Sequence, residues 1–194
     1  GVDDGGVPCT FEAKTRVTLP SDGRPFRIEV ARAAAKAAVA RVIFPERSEV
    51  AHLRATLTHS GAAPLLAGPV RLARGVSLVG RSRLDFVGAG EPFELGFGTD
   101  DGVRARRDVA DKRETAMLTG TQKIRRTVTV YLSNLSGDAR PVLVTERIPV
   151  SEIEDVEISP VEIAGWKHDV KDGFLRAEVE LAPRATRTLT LTYE

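Results

Sequence analysis

The chain has 194 residues, 28 of them basic and 27 acidic, for a formal charge of +1, so no global field draws it to nucleic acid or to an anionic membrane. A chain of this length buries roughly 70% of its unfolded surface without metal or disulfide staples, and its one cysteine, Cys9, excludes an intrachain disulfide. No run approaches the ~18 apolar residues of a bilayer-spanning helix, no signal-peptide pattern opens the chain, and the start at Gly1 reads as a start partway into a larger protein.

Residues 11–113 read as a first antiparallel β unit. Its predicted strands are TRVTLP (15–20), PFRIEV (25–30), HLRATLTHS (52–60), GPVRLA (68–73), VSLVGRSRLDFV (76–87) and a long one from Phe93 to Val109. The segment ARAAAKAAVAR (31–41) has the highest helix propensity in the chain. It lacks a capping residue before Ala31 and runs into the strand-like VIFP, so helix and strand both stand as readings. Residues 49–58 (EVAHLRATLT) fit helical spacing through Val50, Leu53 and Leu57, or period two through Leu53, Ala55 and Leu57; the threonines favour a strand.

Glycines scattered among arginines between 64 and 98 raise the question of a phosphate loop. Such a loop needs clustered glycines between a strand and a helix. Gly68, Gly75 and Gly80 are instead spread among alternating residues with no helix following. They read as strand and turn glycines, Gly75 reversing a hairpin and VGAGEP (87–92) making another turn.

The stretch from Phe93 to Val109 reads as one long strand or a bent hairpin: Phe93, Leu95 and Phe97 alternate inward, and TDDG (99–102) carries the Asp and Gly of a tight reversal. Beyond it Val103 and Ala105 point to the sheltered side and Arg104 and Arg106 outward. Arg107 breaks the inward apolar run and needs a carboxylate partner or an exit to water. Arg104, Arg106 and Arg107 are therefore the candidate contact surface.

DKRETAMLTGTQ (111–122) reads as the crossing to a second unit, residues 122–194, with strands at 123–134, 139–149, 155–163, 174–183 and 186–194. Val128, Val130 and Leu132 alternate with Thr127, Thr129 and Tyr131. Leu175, Ala177, Val179 and Leu181 alternate with Arg176, Glu178 and Glu180, and Leu189, Leu191 and Tyr193 close the pattern. These spacings fit an immunoglobulin-like β-sandwich. The fold class is thus all-β, two antiparallel β units, the C-terminal one an immunoglobulin-like sandwich.

Catalytic apparatus is not visible. His52 and His59 fall on opposite faces of a strand and suit no shared metal, and His168 lies far along the chain. There is no Gly-x-Ser-x-Gly elbow, and Cys9 has no partner base. The acidic SEIEDVEI (151–158) lacks the spacing and glycine of a calcium loop. Asn134 in NLS matches a glycosylation acceptor, but SNLSGD more simply makes a turn. The expectation is no cofactor, no metal and no nucleic acid.

The runs HLRATLTHSGAAPLLAGPVRLARGVSLVGRS, GEPFELGFGTDDGVRARRD, VYLSNLSGDARPVLVTERIPVS and ELAPRATRTLTLTYE, in that order, resemble the C-terminal domain of the mucoidy-inhibitor-A-like family, a domain of unknown function. The resemblance spans nearly the whole chain. It implies a preceding N-terminal domain and coiled coil, supports strand over helix for Ala37 to Phe44 and Leu53 to Thr58, and brings no catalytic residues. This chain departs from the family pattern at His59, at Arg176, and at Pro183–Ala185, which replaces a Pro-Gly-acidic turn.

The expected function is a noncatalytic binding or assembly module of a larger bacterial protein, its partner another protein or other domains of the same polypeptide. The alternative is part of a hydrolase or carbohydrate-active enzyme completed by a missing N-terminal region, which two carboxylates at glycosidase distance would mark. An extracytoplasmic ligand-binding sandwich would need an exposed aromatic patch, and two tyrosines and one tryptophan count against it.

Overall fold

The computed structural model describes residues 10–13, 15–115 and 122–194; Cys9 and positions 116–121 of the expected crossing lie outside them. Among the described residues every regular element is a strand: β1 (Ala37–Ile43), β2 (Val50–Thr58), β3 (Gly68–Arg74), β4 (Ser77–Leu84), β5 (Pro92–Thr115), β6 (Gln122–Asn134), β7 (Arg140–Arg147), β8 (Pro160–Glu162), β9 (Lys167–Asp169), β10 (Phe174–Leu181) and β11 (Thr186–Tyr193).

Alternation decides most of these. In β6 Val128, Val130 and Leu132 are buried while Tyr131 is exposed, and in β10 the buried Leu175, Ala177, Val179 and Leu181 alternate with exposed charges. The second half of the alanine-rich run is β1, not helix. Antiparallel pairing with β2 and parallel pairing with β7 satisfy its backbone on both sides, and two tertiary ladders outweigh an intrinsic preference of a few tenths of a kcal/mol per residue, about what separates alanine from ordinary residues in a helix.

Strand partners were not legible. Strands from 11–113 and from 122–194 join in one nine-stranded sheet of order β8-β11-β6-β5-β2-β1-β7-β10-β9, with β3 and β4 as a separate pair. The division at 113/122 does not separate two sheets: the β5–β6 ladder runs up to Thr115 opposite Gln122. The sheet is mixed rather than antiparallel throughout, because β1 lies parallel to β7. Residues 15–20 and 25–30 are not strands, and their apolar side chains Val17, Leu19, Phe26 and Ile28 are exposed. Within 155–163 only Pro160–Glu162 is strand, beside β11, with Ser159 exchanging backbone hydrogen bonds with Glu194.

β5 joins the two wings of the sheet. Its first half pairs with β2 and its second with β6. Between them the register jumps, with Ala51 opposite Asp100 but Val50 opposite Arg104. Of the two readings, one long strand or a bent hairpin, the structure has the continuous strand, and TDDG forms a bulge in it where a tight reversal was expected. Asp100 spends its turn-forming capacity locally: its Oδ1 accepts from the Gly102 N–H at 3.1 Å while Oδ2 accepts from Arg41 Nε on β1. Burial raises the Asp100 carboxyl, but these bonds and the charges of Arg41 and Arg140 outweigh it and leave it below the ordinary range. A bulge sharpens local twist, and here it marks where the sheet passes from one wing to the other.

Both wings close on one core. Leu191 and Tyr193 of β11 belong to the same buried cluster as Leu175 and Leu181 of β10, although five strands intervene in the sheet order. The closure is also polar. Trp166 donates its indole N–H to the Thr190 carbonyl at 3.1 Å, and buried Asn134 at the end of β6 donates to the carbonyls of Leu181, the last residue of β10, and Ala182. The outermost strands, β8 and β9, have three residues each, which leaves little unpaired edge to recruit other chains.

Candidate arginine contact face

β5 positions the three arginines as alternation requires. Val103 and Ala105 are buried, and the side chains of Arg104 and Arg106 are 47% and 69% exposed. Across the ladder Arg104 lies opposite Ser133 and Arg106 opposite Tyr131; β11 continues those rows with Thr186 and Thr188. The face is thus one of guanidinium, phenol and hydroxyl groups.

Arg106 lies over the Tyr131 ring, 4.7 Å from its centroid, and its Nη2 donates to Asp108 Oδ2 at 2.9 Å. Arg104 approaches Asp101 only to 3.9 Å. A shallow hollow of about 480 Å³ opens here, lined by Glu49, Arg104, Ala105, Arg106, Tyr131 and Ser133. Its wall offers guanidinium donors, one aromatic platform, the Ser133 hydroxyl and one carboxylate, Glu49.

Arg107 parts from its neighbours. Its Nε lies 3.1 Å from both Glu146 oxygens on β7, and the Glu146 side chain is 1% exposed. Burial pushes that carboxyl above the ordinary range even though Arg107 pulls it down. The three arginines therefore do two things: Arg104 and Arg106 face solvent, while Arg107 ties one wing of the sheet to the other.

Sequence reasoning missed Glu146 and Tyr131. Glu146 had a signal, since it continues the inward positions Val142 and Val144 of β7 and an inward carboxylate calls for a cation. Tyr131 had none, because its place beside Arg106 depends on register.

The histidines stay apart. His52 Nε2 is 3.2 Å from Ser48 Oγ, whereas His59, just past β2, is buried with Nε2 2.7 Å from the Ala63 carbonyl. Among the described residues no three His, Cys, Asp or Glu side chains gather to hold a metal, and no helix is long and apolar enough to cross a membrane. Gly75 makes the β3–β4 turn with φ +60°, as the glycine spacing implied. Asn134 is committed: Nδ2 donates to the carbonyls of Asp138, Leu181 and Ala182, and Oδ1 accepts from the N–H and hydroxyl of Ser136. A second hollow, about 530 Å³, opens at the other end between Phe44, Arg47, Arg147 and Phe174.

An all-β domain with one core and a solvent-facing arginine strand is the class these features define. The chain belongs to the family described as Domain of unknown function (DUF4139), whose pattern matches residues 3–194. No curated protein and no solved structure matches it.

Proposed function

We propose that this chain is a noncatalytic binding or assembly module of a larger bacterial protein, that it corresponds to the C-terminal domain of the mucoidy-inhibitor-A-like family, and that Arg104 and Arg106 with Tyr131 form its contact face. The packing of β6 and β11 against β7 and β10 around a single core supports reading this part as an immunoglobulin-like sandwich.

One observation carries the contact reading. Arg104 and Arg106 hold no core contact that requires them, yet they flank a hollow beside an exposed tyrosine, while the adjacent Arg107 is spent on structure. Arginine and tyrosine are, with tryptophan, enriched at energetic centres of interfaces, because each presents a large contact area and directional donors. The partner this face suits is a protein segment bearing carboxylates or free carbonyls, in another chain or in the same polypeptide. Each described hollow has a single carboxylate on its wall, Glu49 in one and Glu46 in the other, which favours this reading over the glycosidase alternative.

The test is retention of a protein partner on the immobilised chain, compared between wild type and Arg104→Glu/Arg106→Glu. The expected result is loss of the partner with the melting temperature within about 2 °C of wild type, since exposed ion pairs contribute only about 0–1 kcal/mol. Equal retention by both proteins removes the reading.

A further inference from the structure

The near-neutral charge of the chain hides a concentrated positive patch. Between Pro64 and Val87 there are four arginines, Arg71, Arg74, Arg81 and Arg83, against the one carboxylate Asp85. The structure places all four on the β3–β4 hairpin, the pair of strands outside the main sheet. None of them makes an ion pair with a described carboxylate.

Register sharpens the point. Arg71 is directly opposite Arg81, and Arg83, two residues on, shares their face. Like charges directly opposite in a ladder are destabilising, so this pair costs the hairpin stability and gains nothing within the chain. The same face continues to Ala73 and its partner Leu78, which is 58% exposed, and the tip residue Val76, next to Gly75, is fully exposed. The other face, with Leu72 buried, rests on β5.

A hairpin with a solvated apolar tip behind a cluster of unpaired guanidiniums matches one kind of surface, which is anionic outside and apolar a few ångströms in. We propose that the β3–β4 hairpin docks on an anionic phospholipid bilayer, with Arg71, Arg81 and Arg83 on the headgroup phosphates and Val76 and Leu78 entering the interface. Guanidinium binds phosphate through paired N–H donors. A juxtaposed Arg near an anionic leaflet contributes roughly fivefold in partitioning, about 1 kcal/mol each. A soluble polyanion would satisfy the arginines but leave Val76 and Leu78 in water. This face is separate from Arg104 and Arg106, so the two proposals stand or fall independently.

Cosedimentation of the chain with vesicles of phosphatidylcholine alone, and of phosphatidylcholine mixed with phosphatidylglycerol, tests this. Binding is expected only to the anionic vesicles, weakening between about 50 and about 200 mM salt as the Debye length shortens. Arg71→Gln/Arg81→Gln should lose at least about tenfold in partitioning while keeping or raising the melting temperature, because a like-charge pair is relieved; a hairpin that needs these arginines for structure would melt lower instead. Val76→Asp should also lose binding, and Val76→Trp should blue-shift its fluorescence on anionic vesicles alone. No binding, or equal binding to both vesicle types, overturns the proposal. So does dextran sulfate binding as tightly as vesicles with Val76→Asp unaffected, which would assign the arginines to a soluble polyanion.

Discussion

Arg107 on β5 and Glu146 on β7 form the ion pair that joins the two wings of the sheet through the interior, the Arg107 Nε lying 3.1 Å from each carboxylate oxygen. Removing one partner of such a pair leaves an uncompensated charge, so Arg107→Ala should cost about 3 kcal/mol, while Arg104→Ala and Arg106→Ala should each cost under about 1 kcal/mol. Chemical denaturation of the three variants checks the order. Equal costs would show that Arg107 does not carry the wing-to-wing contact.

The same pair gives a pH dependence. Burial raises the folded Glu146 carboxyl above its ordinary value, so the folded protein takes up this proton more readily than the unfolded chain. The charge is therefore an unrelieved burden above the folded pKa, and stability from this group rises as pH falls from the folded pKa toward the unfolded one. Deleting Arg107 removes the attraction that held the carboxyl down and extends that window upward. The penalty of Arg107→Ala should thus be largest above the folded pKa of Glu146 and shrink as the pH falls through it, and Glu146→Gln should abolish the difference. A penalty independent of pH would contradict it.

Asn134 contributes through five hydrogen bonds from a side chain in a residue only 2% exposed. Asn134→Ala removes a donor from the carbonyls of Leu181 and Ala182, the latter still held by the Ala185 N–H, and unties the 134–138 turn, so a loss of about 1–3 kcal/mol is expected. Its amide is also closed to glycosylation in the folded state. Thermal unfolding measures the loss, and a change under about 0.5 kcal/mol would mean that the turn holds without it.

Arg184, in the turn between β10 and β11, is the one described non-glycine residue with positive φ, at 57°. That conformation costs a side-chain-bearing residue about 1–2 kcal/mol relative to glycine. Arg184→Gly should raise stability by up to about 1 kcal/mol after the extra freedom of the unfolded glycine is subtracted. Differential scanning calorimetry resolves the corresponding rise in melting temperature; a fall would show that Arg184 makes a contact worth more than the strain.

What the sequence disclosed follows from what alternation encodes. Period two shows which side of a strand is buried, and it placed Val128, Val130, Leu132 and the β10 leucines correctly, together with Arg104 and Arg106 outward. It carries no record of which strand lies alongside. The β1–β7 parallel contact and the sharing of one core by β10 and β11 therefore could not be read, and two units were expected where the strands share one sheet. At Asp100 and Gly102 turn chemistry was recognised but its use was not, because a bulge and a reversal draw on the same residues. Arg107 reads as needing a carboxylate partner or an exit to water; choosing Glu146 required noticing that β7 also turns a charge inward. The arginines of β3 and β4 vanished into a balanced total, since net charge averages over a surface on which position decides.

The face carrying Arg104, Arg106 and Tyr131 is proposed as the contact surface of this chain. Its most direct test places a photoreactive benzophenone side chain at position 131 of the full-length protein, with a control at Glu178, which is exposed on β10. A discrete cross-linked product is expected at 131, absent at 178 and lost when Arg104 and Arg106 are both changed to Glu. Cross-linking of equal yield at the two positions, or none at 131, would contradict the account.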